Sequence, residues 1–347
     1  MDVADFDFDL PDELIAQHPP AERGGSRLLT VPLDGAAVQH GAFADLTQWL
    51  RAGDLLVVND TRVFPARLLG TRDPSGGQVE CLLLERSGDD RWLALVHPGQ
   101  KLKPGARVVF EGPGVVLQGE ILDRHFHGRR TVRLWVAGGG SVDAAVDAIG
   151  HIPLPPYIRR QDNAQDRERY QTVYANARGS IAAPTAGLHF TPAMLARLKE
   201  HGVETAAVTL HVGYGTFKPV RTERVEDHAV NAEQFGVSPA AAAALTRALR
   251  EQRRVIAVGT TTARVLESLR VQGDIVQPAA GATDLFIRPG HQFTLVRGLV
   301  TNFHLPRSSL LMLVCALGGR ERILTAYRDA VASQYRFYSY GDAMLVL

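Results

Sequence analysis

Five segments of the 347-residue chain concentrate residue types that carry chemistry. The first, Asn59 to Leu68 (NDTRVFPARL), places Asn59, Asp60 and Arg62 directly after the apolar run Leu55 to Val58. Polar side chains at a strand end form a hydrogen-bonded ligand cluster in many α/β folds. The alternative is a turn in which Asp60 bonds its own backbone. The second segment, Arg169 to Thr191 (RYQTVYANARGSIAAPTAGLHFT), carries Arg169, Tyr170, Gly179-Ser180 and Pro184-Thr185-Ala186-Gly187, and then His189. Small residues in such turns let a ligand approach the backbone closely. A histidine beside a Gly-rich turn and a helix start is a candidate acid or base, although a lone histidine is also a common structural residue.

In the third segment, Thr209 to Val220 (TLHVGYGTFKPV), strand alternation puts Thr209, His211 and Gly213 on one face and Leu210 and Val212 on the other. Gly213 and Gly215 bracket Tyr214 as in a loop wrapped around a ligand, a weak signal alone. The fourth, Val258 to Glu267 (VGTTTARVLE), sets Thr260 and Thr261 at a helix start. Amides and hydroxyls there suit a carboxylate or phosphate, or serve only as a helix cap. The fifth, Thr301 to Ser308 (TNFHLPRS), carries Asn302 and His304 off a strand end, and the C-terminal YRFYSYGDAML adds Arg336, Tyr340 and Asp342. Arginine among aromatics stacks bases; the same residues also fit a last strand packed on a sheet. No Walker loop, HExxH, CxxC or strand-borne GxGxxG is present. His125-Phe126-His127 has ligand-like spacing but lies in a basic loop without acidic or Cys neighbours, so no metal site is expected.

Those residues need a scaffold, and 347 residues suffice for roughly two domains. From about Asp54 to Val136 the chain reads as short strands (Leu55–Val58, Val63–Leu69 broken by Pro65, Val79–Leu84, Trp92–Val96, Arg107–Phe110, Val115–Leu122, Thr131–Val136) separated by Gly, Pro and Asp clusters. Closely spaced strands with regular turns predict a small closed barrel. The GGGS near residue 140 reads as a linker or turn. After residue 150 helices alternate with strands. Thr191-Pro192 and Ser238-Pro239 open helices, the first closed by Gly202 and the second running to about Arg253. Val203–Val212, Val255–Val258, Asp284–Ile287 and Leu299–Phe303 read as strands. Ser308 or Ser309 caps an apolar helix, and another spans Arg320 to Tyr335. The expected fold class is α/β with a β-rich insertion.

Composition narrows the setting. The net charge of +1 argues against a protein coated in positive charge, but RNA binding needs only a local patch. Two patches qualify: His125 to Arg133, and Arg159-Arg160 with Arg167 and Arg169. The acidic start lacks a signal-peptide pattern, and no apolar run approaches the roughly 18–20 residues of a membrane span. Cys81 and Cys315 sit in apolar runs and read as buried free thiols. A cytoplasmic location is expected.

Taken together, the segments resemble the S-adenosylmethionine:tRNA ribosyltransferase-isomerases of queuosine biosynthesis. The resemblance runs through FDFDLPDELIAQHP, SRLL, NDTRVFPARL, LPPYI, RYQTVYA…GSIAAPTAGLHFT, TLHVGYGTF, VGTTTARVLE, TNFHLPRSSLLMLV and YRFYSYGDAML, in order over essentially the whole chain. It implies an α/β domain of unusual topology (residues 1–58 and 152–347) with an inserted β-barrel (59–151). It also implies transfer and isomerisation of the ribosyl part of S-adenosylmethionine onto the aminomethyl-deazaguanine (prequeuosine) base at the tRNA wobble position. The products are epoxyqueuosine-tRNA, adenine and methionine. S-Adenosylmethionine is then a consumed co-substrate, no cofactor or metal is needed, and the partner is tRNA met by a monomer. The acid and base come from a pool holding His189, His211, His228, His304, Asp60, Glu233 and Asp342, of which His189, His211, Asp60 and Glu233 are the first catalytic candidates. Asn59, Arg62, Arg169, Tyr170, Thr185, Gly187, Gly213, Gly215, Thr260, Thr261, Asn302, His304, Tyr340 and Asp342 are the substrate-binding candidates.

One departure stands out. Where the family reads His-x-Met-His-x-Glu, this chain has His228-Ala-Val-Asn231-Ala-Glu233. Asparagine hydrogen-bonds but does not titrate, so a positioning role is expected at Asn231. Arg288 and His291 likewise replace aromatic residues. Two rival readings are an S-adenosylmethionine-dependent RNA methyltransferase, opposed by the missing Gly-rich strand-to-helix turn, and a non-catalytic RNA-binding module using the barrel alone, opposed by the reactive residues outside the barrel.

Overall fold

The computed structural model describes residues 1–217 and 220–347, and only the backbone of His127, Thr216 and Phe217. Lys218 and Pro219 at the end of the third segment, and the His127 side chain, lie outside the described residues.

In chain order the strands are β1 (Arg27–Val31), β2 (Gln39–Ala42), β3 (Leu55–Asn59), β4 (Thr61–Val63), β5 (Arg67–Asp73), β6 (Gln78–Arg86), β7 (Arg91–His97), β8 (Arg107–Gly112), β9 (Val115–Arg124), β10 (Arg129–Val136), β11 (Ala177–Ser180), β12 (Glu204–Leu210), β13 (Glu233–Val237), β14 (Val255–Val258), a short hairpin β15–β16 (Val271–Gln272, Ile275–Val276), β17 (Ala279–Thr283), β18 (Val296–Asn302) and β19 (Ala343–Val346). The helices are α1 (Val142–Ile149), α2 (Asp166–Arg169), α3 (Pro192–Glu200), α4 (Pro239–Arg250), α5 (Thr260–Ser268), α6 (Ser309–Gly318) and α7 (Arg320–Ala332).

Nine strands form one mixed sheet in the order β17-β13-β12-β3-β14-β18-β19-β1-β2. Strand β3 is buried along its whole length. It alternates between two cores: Leu55 and Val57 face the one built with α4 to α7, and Leu56 and Val58 face the one built with α3. A strand covered on both faces reads as a continuous apolar run, which is why LLVV shows no polar alternation. β3 lies parallel to both neighbours, β12 and β14. The chain reaches β12 through the insertion and α3, and β14 through β13 and α4 on the other side. The winding therefore reverses at β3, and such a switch point opens a crevice at the carboxyl ends of the strands.

The insertion is a closed six-stranded barrel, β10-β7-β6-β5-β8-β9, antiparallel throughout, with its own apolar core. Its entry and exit are pinned together: Arg67 and His151 exchange backbone hydrogen bonds of 3.2 and 2.8 Å. Gly150 lies so close to Pro65 that an added Cβ would sit 2.0 Å from the Pro65 carbonyl oxygen. Both cysteines are buried free thiols, each pushed up to about 12 by burial.

Three readings of the sequence need correction. The Val63–Leu69 run splits, because Pro65 lacks an amide: β4 pairs with β11, and only β5 enters the barrel. Helix α7 ends at Ala332, not Tyr335, with Gln334 at φ 57 breaking the helical path. Asp284–Ile287 is not a strand; the strand is Ala279–Thr283 just before it. There the Arg264 guanidinium takes the Thr283 and Leu285 carbonyls, and Thr283 Oγ1 accepts from the Leu285 amide, so the groups a ladder would use are occupied. The Ser-Pro and Thr-Pro helix starts do form: Thr191 Oγ1 accepts from the Met194 amide and Ser238 Oγ from the Ala241 amide.

Phe303, at the end of β18, is fully buried and packs on Tyr327, Tyr335 and Phe337 at ring-centroid distances of 5.2, 5.5 and 5.0 Å. Phe303→Ala should lower the unfolding free energy by about 3–5 kcal/mol, the usual cost of emptying an aromatic core site. Urea denaturation measures it; a loss below about 1 kcal/mol would contradict this packing.

Candidate active site

The crevice at the carboxyl ends of the central strands is a cavity of about 360 Å³. Its walls come from residues just past β12 (Val212), β14 (Gly259 to Thr261) and β18 (Phe303 to Leu305), with Ala182 to Ala186 from the loop after β11. Gly259, at φ +89, turns the chain from β14 directly into α5. As the N-cap residue it offers no side chain, so no side chain caps this helix. The positive end of α5 thus lies at the cavity wall. Helix α6 also starts there, capped by Ser308 Oγ accepting from the Leu311 amide at 3.2 Å. Arg159 and Arg307 complete a lining that holds no Asp or Glu. Tyr157 and Tyr338 supply aromatic surface, their ring centroids 3.8 Å apart.

A second cavity of about 920 Å³ lies between the barrel and the α/β part. The two share Pro156, Ser309 and Leu310 as lining residues and so adjoin. Leu84, Glu85, Leu93, Leu95 and Arg129 form the barrel side. Opposite stand Gly213 to Gly215, Asp227 to Glu233 and Arg264. Glu233 and Arg264 form a buried ion pair there. Glu233 Oε1 accepts from the Gly213 amide at 2.8 Å, while the guanidinium donates from Nε to the Leu285 carbonyl at 3.0 Å. This wall therefore carries both signs of charge, unlike the first cavity.

The candidate residues divide into three groups. Thr185, Thr260, Thr261, Asn302 and His304 line the smaller cavity, and Gly213, Gly215 and Glu233 the larger. Asn59, Asp60 and His211 are brought together behind the strand ends but line neither. Asn59 is fully buried and bonds Leu210, Thr61 and Thr261. Asp60 Oδ1 accepts from Thr209 Oγ1 at 2.6 Å, and His211 Nδ1 lies 2.8 Å from Thr61 Oγ1. Arg62 is exposed. The third group braces the opposite side. Arg169 donates to the Ala21 and Pro20 carbonyls, and Tyr340 donates to Asp166 at 2.8 Å while its ring meets Tyr170 edge-on. Asp342 accepts from the Arg27 and Arg336 amides. Gly187 backs onto Tyr174, where a Cβ would sit 2.2 Å from the hydroxyl.

His189 is the main surprise. It is buried off the cavity, its Nδ1 2.9 Å from Ser26 Oγ, its Nε2 3.1 Å from Asn302 Nδ2, and its ring 5.0 Å from that of Phe43. Burial lowers its pKa to about 4, against the partial support of Asp342 and Asn302. Burial likewise lowers His304 to about 3. His211 and His228 are also lowered by burial, His211 with Asp60 opposing. Of the basic patches, Arg130 is buried and donates to the Leu102, Arg129 and Gly99 carbonyls, and Arg160 pairs with buried Asp166. Neither guanidinium is available to RNA as the sequence suggested. Arg264, Tyr338 and Arg307 carry no mark of their own in the sequence; each lies inside or beside a motif with more reactive neighbours.

The protein is thus an open α/β sheet with an inserted barrel and two adjoining cavities, the smaller at the switch point of the sheet. The family model described as queuosine biosynthesis protein matches residues 3–346. A relative from Anaeromyxobacter sp. (strain Fw109-5), named S-adenosylmethionine:tRNA ribosyltransferase-isomerase, is 54% identical over 349 residues, covering 100% of this chain and 99% of its own. One of the same name from Desulfitobacterium hafniense is 50% identical over the full length of both chains. Among solved structures, the S-adenosylmethionine tRNA ribosyltransferase of Thermotoga maritima is 36% identical, with a TM-score of 0.56, over 99% of this chain and 100% of its own. The chain belongs to the queuosine biosynthesis protein family.

The buried neutral histidines make stability depend on pH. An unfolded histidine takes a proton near 6.5, whereas folded His189 does so only near 4. Between those values the unfolded state binds more protons, so stability is full above about pH 6.5 and falls on acidification. For His189 the loss is on the order of 3 kcal/mol by pH 4. Calorimetric melts at pH 7.5, 5.5 and 4.5 should show a steeper decline for the wild type than for His189→Gln. Parallel declines would mean that His189 is not held neutral by burial.

Proposed function

We propose that this protein transfers the ribosyl part of S-adenosylmethionine to the aminomethyl-deazaguanine base at the tRNA wobble position and isomerises it, giving epoxyqueuosine-tRNA, adenine and methionine. The observation that carries this reading is the pair of adjoining cavities, one for each substrate. The smaller one takes S-adenosylmethionine. The end of α5 receives the carboxylate, and the tyrosine surface receives adenine. The larger one takes the flipped wobble nucleotide, with the acidic groups near Glu233 facing its aminomethyl group. The barrel, through Leu84, Glu85, Leu93, Leu95 and Arg129, forms the outer wall of that chamber.

The chemistry follows from the sulfonium, which acidifies the adjacent ribose carbon so that a base removes a proton there. Electrons then expel adenine, which leaves once a donor protonates a ring nitrogen. The RNA amine attacks the resulting unsaturated sugar, and ring closure to the epoxide releases methionine as a neutral thioether. No redox cofactor enters this balance. His304, neutral in the cavity wall, is the candidate base of this reading, a weak one because burial lowers its pKa. His189, buried behind Asn302, is a positioning residue in this reading, and Asp60 with His211 supports the strand ends. Asn231 contacts Gly215 at the larger cavity and orients rather than titrates. The enzyme acts as a monomer in the cytoplasm; among the described residues no helix is long and apolar enough to cross a membrane.

Incubation of the purified protein with S-adenosylmethionine and tRNA bearing the precursor base should yield free adenine and methionine. Mass spectrometry should show the added epoxycyclopentanediol at the wobble nucleoside. S-Adenosylhomocysteine with a methylated nucleoside would replace this reading by methyl transfer.

A further inference from the structure

Asn302 is buried to within 2% of full exclusion at the end of β18, and it lines the smaller cavity. Its amide orientation is fixed by its partners. The Tyr338 carbonyl, 2.9 Å away, only accepts, so the atom facing it is the NH2 group. The same NH2 group lies 3.1 Å from His189 Nε2. That nitrogen must therefore be the unprotonated one, and Nδ1–H donates to Ser26 Oγ at 2.9 Å. Both donors of Asn302 are thus used inside the protein. Its Oδ1 has no hydrogen-bond partner among the described residues. Tyr338 is held at φ +73, a left-handed conformation unusual for a bulky residue, while its amide donates to the Phe303 carbonyl. Strain of this kind persists where the surroundings over-determine it, often at ligand sites.

A buried acceptor left unpaired is unfavourable unless a ligand completes it. An N–H donor on a neutral heterocycle suits an uncharged amide oxygen. Beside Asn302 stands the aromatic surface of Tyr338 and Tyr157, which suits a flat heterocycle. The geometry points to Asn302 Oδ1 as the acceptor for the exocyclic 6-amino group of the adenine in S-adenosylmethionine, with Ser26, His189 and the Tyr338 carbonyl as the relay that prevents the amide from turning over. This assignment rests on the reading of the smaller cavity as the S-adenosylmethionine site. It makes Asn302 a specificity-determining residue and His189 a positioning residue that never touches substrate.

The test compares S-adenosylmethionine with the analogue that carries hydrogen in place of the 6-amino group. The wild type should prefer the amino compound by at least about 10-fold in kcat/KM, the scale of one buried hydrogen bond. In Asn302→Ala the preference should collapse to about twofold or less, with the KM for S-adenosylmethionine raised and affinity for the tRNA anticodon arm unchanged. His189→Ala, which frees the amide to turn over, should erode the preference in the same direction. Equal use of both compounds by the wild type, a result that needs no variant to fold, overturns the assignment alone. Failure of the wild type to bind either compound overturns it together with the reading on which it rests. A preference that survives in Asn302→Ala also overturns it.

Discussion

The side chain of Asn59 ties together the elements on which both cavities depend. Its two N–H groups reach the Leu210 carbonyl at 3.0 Å and Thr261 Oγ1 at 3.3 Å, and its oxygen accepts from the Thr61 and Leu210 amides at 3.1 and 3.0 Å. With no capacity left over, the amide has no bond to offer a substrate. What it does is hold the end of β3, the end of β12 and the first turn of α5 in one register. A buried amide with all four bonds made stabilises, whereas one with a partner displaced is costly, so each of these segments is held by the others. Val212, Gly259 and Thr261 then stand where they line the smaller cavity.

From that junction the two chambers acquire different electrostatics. The smaller is shaped by helix ends, arginines and the imidazole of His304, which burial keeps uncharged as it does His189 behind Asn302. The larger keeps the buried Glu233 carboxylate in its wall because Arg264 neutralises it and the Gly213 amide shares the oxygen charge. Removing either partner would leave a buried charge alone, the costly half of any buried ion pair. The ion pair thus also fixes the loop after β12, which separates the two chambers.

Much of the fold was legible because its signals are local. Ser-Pro and Thr-Pro helix starts, the barrel turns and the apolar run of β3 act through neighbours in sequence. Strands β1 and β13 and the edge strand β2 carry no such local mark: β2 is exposed throughout, with no apolar alternation. The false strand at Asp284–Ile287 fails through a contact with Arg264, some twenty residues away, which no window of sequence displays. The site was legible as a set of segments but not as roles. His189 and Asn302 are 113 residues apart, and only the folded contact shows which of them faces the cavity.

The motif glycines make the same point in steric terms. Glycine beside a reactive residue suggests close approach of a ligand, yet here several are filled by the protein itself. An added Cβ at Gly179 would lie 2.7 Å from the His211 ring, and one at Gly215 would lie 2.5 Å from Asn231 Nδ2. Gly179 therefore exists to admit the imidazole against the backbone, and it locks that ring beside Thr61. At Gly215 the neighbour is the asparagine that replaces the family's usual histidine. Its amide already lies against the loop backbone, within the space that a Cβ would take. A bulkier, titratable ring at residue 231 would have to shift this loop or point elsewhere in the larger cavity. The substitution and the glycine thus belong to one packing solution, which sets a neutral amide where a titratable ring would need more room.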